Sequence, residues 1–312
     1  MPDEKKLNHP WLVAVWPGMG NVAISGGYYL MAKLGMHILA EFSSHELFDI
    51  EHVEVKGGLI RSGRMPRSRF FVWNDPEQKR DIVVFIGEAQ PPRGKYAFCR
   101  TLIEFARKRG VERVFTFAAM ATQMHPEHDS RVFGAATDQE TLAELKRLEL
   151  TILEDGHIGG LNGLLLGVAA EIGMRGACLL GEMPHIFAQL PFPKASLAVL
   201  QAFATIAHIT IDYTELAQQS KQMEHKLGEL LAQVEHALTQ QAPAEEESVQ
   251  VQPEEAAEEA IDPEDERRIE QLFRHAQKDR AKAYELKHEL DRLGVYRTYE
   301  DRFLDLFKKP DS

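Results

Sequence analysis

The sequence predicts an α/β protein with a mostly parallel sheet covered by helices on both faces, followed by C-terminal helices. Three observations predict it. Short unbroken apolar runs alternate with helical segments up to residue 212. Two glycine-rich turns each open a helix. Beyond residue 212 the β-rich runs stop, and heptad-like and acidic stretches take over.

The elements follow in order. Trp11–Trp16 reads as a buried strand, Pro17-Gly-Met-Gly20 as a turn, and Asn21–Leu34 as a helix stopped by Gly35. Glu54–Arg61 and Arg69–Trp73 are more polar, near Gly57, Gly58 and Gly63, and fit an antiparallel addition or hairpin at a sheet edge. Asp81–Gly87 is a second central strand, Tyr96–Arg109 a helix closed by Gly110, and Arg113–Ala118 a strand. Leu150–Leu153 reads as a short strand, Leu161–Ile172 as a helix, Gly176–Gly181 as a strand and Lys194–His208 as a helix.

The expected organisation is an α/β domain over 1–212, an amphipathic helix over 213–240, an acidic disordered linker over 241–262 and a helical segment over 263–312. In the first helix Leu216, Met223, Leu230 and Ala237 occupy one heptad position, and Ser220, Leu227 and Val234 the other. A second heptad starts at Ile269 and runs through Leu272, Ala276, Ala283, Leu286, Leu290 and Leu293, with Asp279 as a defect. Pro263 suits a first helical position, with Asp262 as its cap. The two segments fit a coiled coil, within the chain or between subunits, and equally fit packing on the domain.

Composition excludes several classes. With 44% hydrophobic and 27% charged residues, 312 residues form a core without staples, and only two cysteines, Cys99 and Cys178, rule out a disulfide framework. The charge-free apolar stretch Ala195–Ile211 contains Gln201, Thr205, His208 and Thr210 and falls short of the ~20 apolar residues of a membrane span. Met1–Pro10 has no apolar secretory core, so a cytoplasmic location is expected. The net charge is −12, and Ala242–Glu266 carries eleven Asp or Glu without Lys or Arg, so the rest is near neutral at −12 + 11 = −1. An acidic tract disfavours nucleic acid, and it reads as a solvated linker or a docking tail.

The candidate ligand-binding residues lie where an open α/β sheet binds ligands, outside the carboxyl ends of its strands. Gly18, Gly20 and Asn21 form one turn, which lacks the third glycine of a dinucleotide fingerprint because Ala23 stands there. Gly159, Gly160 and Asn162 belong to Gly156-His-Ile-Gly-Gly-Leu-Asn-Gly163, a binding loop or a site of close helix-to-sheet packing. Glu88 and Glu182 end strands at the same edge, where they either act as acid, base or metal ligand or accept backbone N–H groups and hold loops. His125 and His128 have His-x-x-His spacing, but Pro126 favours a loop, and no metal site is assigned. No nucleophile with an identifiable base is present in the sequence pattern, so no catalytic residue is assigned; Cys99 and Cys178 lie at apolar positions.

Together these motifs resemble the proteasome-assembly-chaperone family in its archaeal and bacterial branch. The resemblance rests on Trp16-Pro-Gly-Met-Gly-Asn-Val22, Gly87-Glu-Ala-Gln-Pro91 with Tyr96, Gly110-Val-Glu-Arg-Val114, Gly156–Leu165, Gly181-Glu-Met-Pro184 and Asp212-Tyr-Thr-Glu-Leu216. It spans roughly residues 8 to 220 and implies a three-layer α/β/α domain resembling phosphorylase- or hydrolase-like folds. It also implies a non-catalytic, homo-oligomeric protein that acts by protein–protein binding, with itself or proteasome-related proteins as partners and no cofactor. The terminus Lys308-Lys-Pro-Asp-Ser312 departs from the family's docking tail, a hydrophobic residue, Tyr and any residue before the free carboxylate; Val295-Tyr296-Arg297 has that order internally. Docking through the tail is therefore not expected. The alternative is a small-molecule enzyme, phosphorylase-like or ATP-dependent ligase-like, using the glycine-rich edge.

Overall fold

A computed structural model describes residues 6–42, 45–48, 53–62, 65–240 and 262–308. Its strands are β1 (Trp11–Val15), β2 (His37–Phe42), β3 (Val53–Lys56), β4 (Leu59–Ser62), β5 (Ser68–Trp73), β6 (Ile82–Gly87), β7 (Arg113–Thr122), β8 (Val132–Ala136), β9 (Thr151–Ile152) and β10 (Arg175–Pro184). Its helices are α1 (Val22–Lys33), α2 (Lys95–Lys108), α3 (Gln139–Arg147), α4 (Gly160–Glu171), α5 (Pro193–Ala207), α6 (Thr214–Gln240), α7 (Pro263–Lys278), α8 (Ala283–Arg292) and α9 (Tyr296–Asp305).

Eight strands form one mixed sheet in the order β2-β5-β6-β1-β7-β10-β8-β9. The centre, β6-β1-β7-β10, is parallel, with Val13 opposite Val84 and Phe115, and Phe115 opposite Ala177. This is the expected α/β class. The flanks bring in antiparallel pairs, β5 with β6, β2 with β5 and β8 with β10, and the last strand, β9, runs parallel to β8. Central strands are apolar on both sides because both sides are covered. Val13, Val15, Phe115, Phe117 and Leu179 face the layer of α1, α5 and the later helices. Leu12, Ala14, Trp16, Val114 and Leu180 face α2 and α4.

Three elements go beyond the sequence reading. Strand β8 is short and contains Gly134, where an added Cβ would sit 2.9 Å from Leu145 of α3. Helix α3 itself is capped by Asp138, whose carboxylate accepts the Thr141 N–H at 2.8 Å. Strand β2 closes the other edge. The hairpin β3–β4 is a separate two-stranded sheet.

The 241–262 stretch lies outside the described residues except for Asp262, whose side chain accepts the Glu264 N–H at 2.8 Å at the start of α7. The second heptad run is not one helix. At Asp279 the backbone is extended (φ −141°) and the chain turns into α8; Gly294 (φ 68°) then separates α8 from α9. Helices α8 and α9 fold back on α1 and the β5 side of the sheet, and α7 packs against α8 and α9. Phe303 and Phe307 are buried, Phe307 stacks edge-on to Phe71, and its carbonyl accepts the Ile38 N–H at 2.9 Å. In α6, Leu216, Ser220 and Leu227 are buried in the same layer, while Leu230 is exposed.

This packing makes α9 part of the domain core. Phe303→Ala removes a ring held by Tyr28, Tyr296 and Phe307. We expect a loss of about 3–5 kcal/mol in denaturant unfolding of the full chain. A loss near zero would mean that α9 is not packed there in solution.

Candidate functional site

At the carboxyl edge, β1 runs into the Gly18–Asn21 turn. The Gly20 N–H donates to the Ala188 carbonyl and the Gly20 carbonyl accepts from the Phe192 N–H, both at 2.9 Å. Gly20 has φ 60°, and a Cβ there would lie 2.6 Å from the Met183 sulfur, so the position favours glycine. Gln90, in the loop after β6, joins this turn to α4. Its Nε2 donates to the Pro17 carbonyl at 3.3 Å, and its Oε1 accepts the Leu161 N–H at 3.2 Å. Gly160 has φ 68°, and a Cβ there would lie 2.9 Å from Gln90 Oε1. Gly18, Gly20 and Asn21 are thus brought into one junction with Gly159, Gly160 and Asn162, and the side chain that joins them, within the Gly87–Pro91 motif, is not among the candidate ligand-binding residues. The Asn162 carbonyl accepts the Thr116 hydroxyl at 3.0 Å, while its Oδ1 is buried without a hydrogen-bond partner.

The two carboxylates lie at the same edge but not together. Glu88 turns toward β5: its Oε2 accepts the Arg67 N–H at 2.7 Å and its Oε1 accepts from Arg69 Nη1 at 3.0 Å. Arg69 is buried, bonds Glu41 at 3.3 Å and lies 3.9 Å from Glu300 of α9. Glu182 is buried and turns toward β8, where Arg131 clamps it through Nε (2.7 Å) and Nη2 (2.6 Å) and the Thr122 hydroxyl donates at 2.8 Å. The strands that carry them, β6 and β10, are three places apart, roughly 14 Å at the usual strand spacing. Acid–base carboxylate pairs that share a substrate stand roughly 5–9.5 Å apart. Hydrogen bonds from Arg131 hold the Glu182 carboxyl below the usual carboxylate range, against the opposing effect of burial.

His125 and His128 sit in a loop pinned by Lys194 of α5, whose Nζ donates to the Pro126 (2.9 Å) and His128 (3.0 Å) carbonyls. Among the described residues no group of three His, Cys, Asp or Glu side chains is arranged to hold a metal. Burial pushes both the Cys99 and Cys178 thiols up to about 12, so neither is a ready nucleophile. Beside exposed polar side chains such as Asn21, His185 and Gln189, the edge exposes large apolar ones. Met19 is 43% exposed beside Gly20, and Ile186 (53%) and Leu190 (40%) flank Ala188, its bonding partner. Arg69, Arg131 and these three apolar residues were not singled out by spacing, because what marks them is their neighbours across the sheet.

The doubly covered α/β fold is shared with solved structures of archaeal and bacterial homologues of proteasome assembly chaperones. The Pyrococcus furiosus protein PbaB, described as an archaeal proteasome activator, is 26% identical, with 75% of this chain and 96% of that one covered at a TM-score of 0.60. A PAC2 family protein of Streptomyces avermitilis is 25% identical over 74% of this chain and 100% of that one, with a TM-score of 0.62. An uncharacterized protein of Methanocaldococcus jannaschii is 28% identical over 232 residues, 71% of this chain and 83% of its own length. The PAC2 family model matches residues 12–231, and the chain belongs to the PAC2 family. That match ends within α6, so α7–α9 lie beyond it.

The buried clamp has a measurable consequence. Arg131→Ala leaves Glu182 desolvated and short of its main partner; because Arg131 is itself 62% exposed, we expect a measurable loss of stability, smaller than that for a fully buried pair. A carboxylate whose folded pKa is depressed stabilises above its unfolded pKa and loses that contribution as pH falls through the folded one. The stability advantage of the native protein over Glu182→Gln should therefore shrink from about pH 4.5 downward. Urea unfolding at a series of pH values checks both; a constant offset down to pH 2 contradicts the clamp.

Proposed function

We propose that the protein works by binding proteins, copies of itself and proteasome-related subunits among them, as a non-catalytic cytoplasmic assembly chaperone that uses no cofactor. The observation that carries this reading is the state of the carboxyl edge. Polar groups that an enzyme of this class would aim at a substrate are engaged in holding the protein together: Gly20 by Ala188 and Phe192, Leu161 N–H by Gln90, Glu88 by Arg67 and Arg69, and Glu182 by Arg131. The side chains facing solvent there include three large apolar ones, Met19, Ile186 and Leu190, among polar neighbours such as Asn21, His185 and Gln189, a mixture that suits a protein contact. The likeness to a protein described as a proteasome activator supports the choice of partner. No helix of the described residues is long and apolar enough to cross a membrane, in keeping with action in an aqueous compartment.

The alternative, a phosphorylase-like or ligase-like enzyme, draws support from one atom, the unpartnered Asn162 Oδ1 beside the glycine-rich loop. Native mass spectrometry of the full chain purified without added ligand separates the two. Multiples of the bare-chain mass are expected; a stoichiometric excess matching a nucleotide or metabolite would favour the enzyme. With the proteasome core particle as titrant, Ile186→Asp with Leu190→Asp should weaken binding at least tenfold, whereas Glu88→Gln and Glu182→Gln should each leave it within threefold. Loss in both carboxamide variants, with folding intact, would overturn the proposal.

A further inference from the structure

Hairpin β3–β4 stands apart from the rest of the domain. Among the described residues its two strands pair with each other and with no third strand. Val53, Val55, Leu59 and Ile60 are 53%, 64%, 66% and 73% exposed. An isolated two-stranded hairpin is marginal in water, and a row of exposed aliphatic side chains with open strand edges is a template for pairing.

We propose that β3 is the edge at which two copies of this chain pair, antiparallel across a two-fold axis at Val55. The inference rests on the self-association reading above and assigns it a surface. Gly57 (φ 60°) and Gly58 (φ 75°) make a two-residue turn of the type that matches hairpin twist. Residues flanking such a turn, Lys56 and Leu59, exchange both ladder hydrogen bonds, and the pattern alternates along the strand. The backbone groups of Val53 and Val55 therefore point away from β4, along the free edge. A two-fold axis there makes Val55 and its copy a hydrogen-bonded pair and sets position 54 opposite position 56 twice. The sequence has glutamate at 54 and lysine at 56, so opposite charges meet at both facing positions. The same operation on β4 about Ile60 sets Leu59 opposite Arg61 and gains no charge pairing. The β3 axis also gathers Val53, Val55 and Ile60 of both copies on one face of a four-stranded sheet, because Val55 and Ile60 are register partners.

Charge exchange in the full-length protein, followed by sedimentation and native mass spectrometry, tests the register. Glu54→Lys and Lys56→Glu each place like charges at both facing positions and should weaken self-association about tenfold. The double variant should restore it, and an equimolar mixture of the two single variants should form mixed oligomers in preference to either alone. Val55→Cys should cross-link between copies on mild oxidation and Val53→Cys should not, against a low background because Cys99 and Cys178 are buried. Self-association unchanged in both charge variants, or weakening without rescue by the double variant, overturns the β3 assignment while leaving self-association standing. A native chain that is monomeric at every concentration defeats both.

Discussion

Helix α1 is buried from two sides, and the rest of the domain depends on that double burial. Toward the sheet, Gly27 lets the helix approach so closely that a Cβ would sit 2.4 Å from Val15 Cγ2, and Gly26 does the same against Phe117 at 3.3 Å. Away from the sheet, Tyr28 packs edge-on to Tyr296 and Phe303, and Tyr29 packs edge-on to Tyr284 at 4.5 Å. The tyrosine hydroxyls of 28 and 296 bond to each other at 2.9 Å, and the buried Lys287 ammonium lies over both rings and on Asp291. Desolvation pushes the Tyr28 and Tyr296 phenols well above their ordinary value, so both stay neutral, while the same burial pulls Lys287 down against the opposing pull of Asp291. A polar seam of this kind is tolerable only because its members satisfy one another.

That second burial explains what was legible in the sequence. The central strands were readable because both faces must be apolar, so Trp11–Trp16, Asp81–Gly87 and Arg113–Ala118 are runs without alternation. The fate of the C-terminal helices was also present, in an unexpected place: α1 itself. Its segment Val22–Lys33 has no polar face, and a helix apolar all round must be covered all round. The heptad pattern marked Leu216, Leu227, Ile269 and Leu286 as seam residues; they are buried, but on the protein's own domain. Periodicity reports which side of a helix is covered and not what covers it. Strand β8 was hidden because it is short, holds a glycine and owes its existence to pairing with β10, a long-range contact that local pattern does not encode.

The edge residues illustrate a related limit. Glycine spacing located the Gly18–Asn21 and Gly159–Asn162 turns because strained backbone leaves a compositional trace. Gln90, which joins them, stands in the Gly87–Pro91 motif, but nothing in that motif says that its side chain bridges the two turns. The carboxylates Glu88 and Glu182 were visible as strand-end acids, but acid at the end of a strand is equally the signature of an ion pair. Only the cross-strand arginines, Arg69 at 3.0 Å and Arg131 at 2.6 Å, distinguish one from the other. Each arginine also has a second contact, Arg69 with Glu41 and Arg131 with the Phe133 ring.

These features divide the surface in a way that bears on how the protein meets others. Of the helices beyond the family match, α8 and α9 are spent on α1 and the β5 side of the sheet by apolar burial, with Arg67–Asp301 tying α9 to the residues before β5 and Lys282–Glu215 tying the turn before α8 to α6. Exposed pairs of this sort contribute little energy but fix orientation. With those helices committed inward, the long aliphatic residues left facing solvent concentrate in two places, the β3–β4 hairpin and the rim of Met19, Ile186 and Leu190. The rim is anchored by backbone bonds through Gly20, so its shape is set before any partner arrives. The hairpin is joined to no other strand among the described residues, so its apolar face has least to lose and most to gain from a second chain. A preorganised rim and an unpaired strand edge impose different demands: the first selects a partner by shape, the second accepts any strand whose register and charges match. Two surfaces of such different character on one domain are what a protein needs if it is to recognise itself and a distinct client without the two competing.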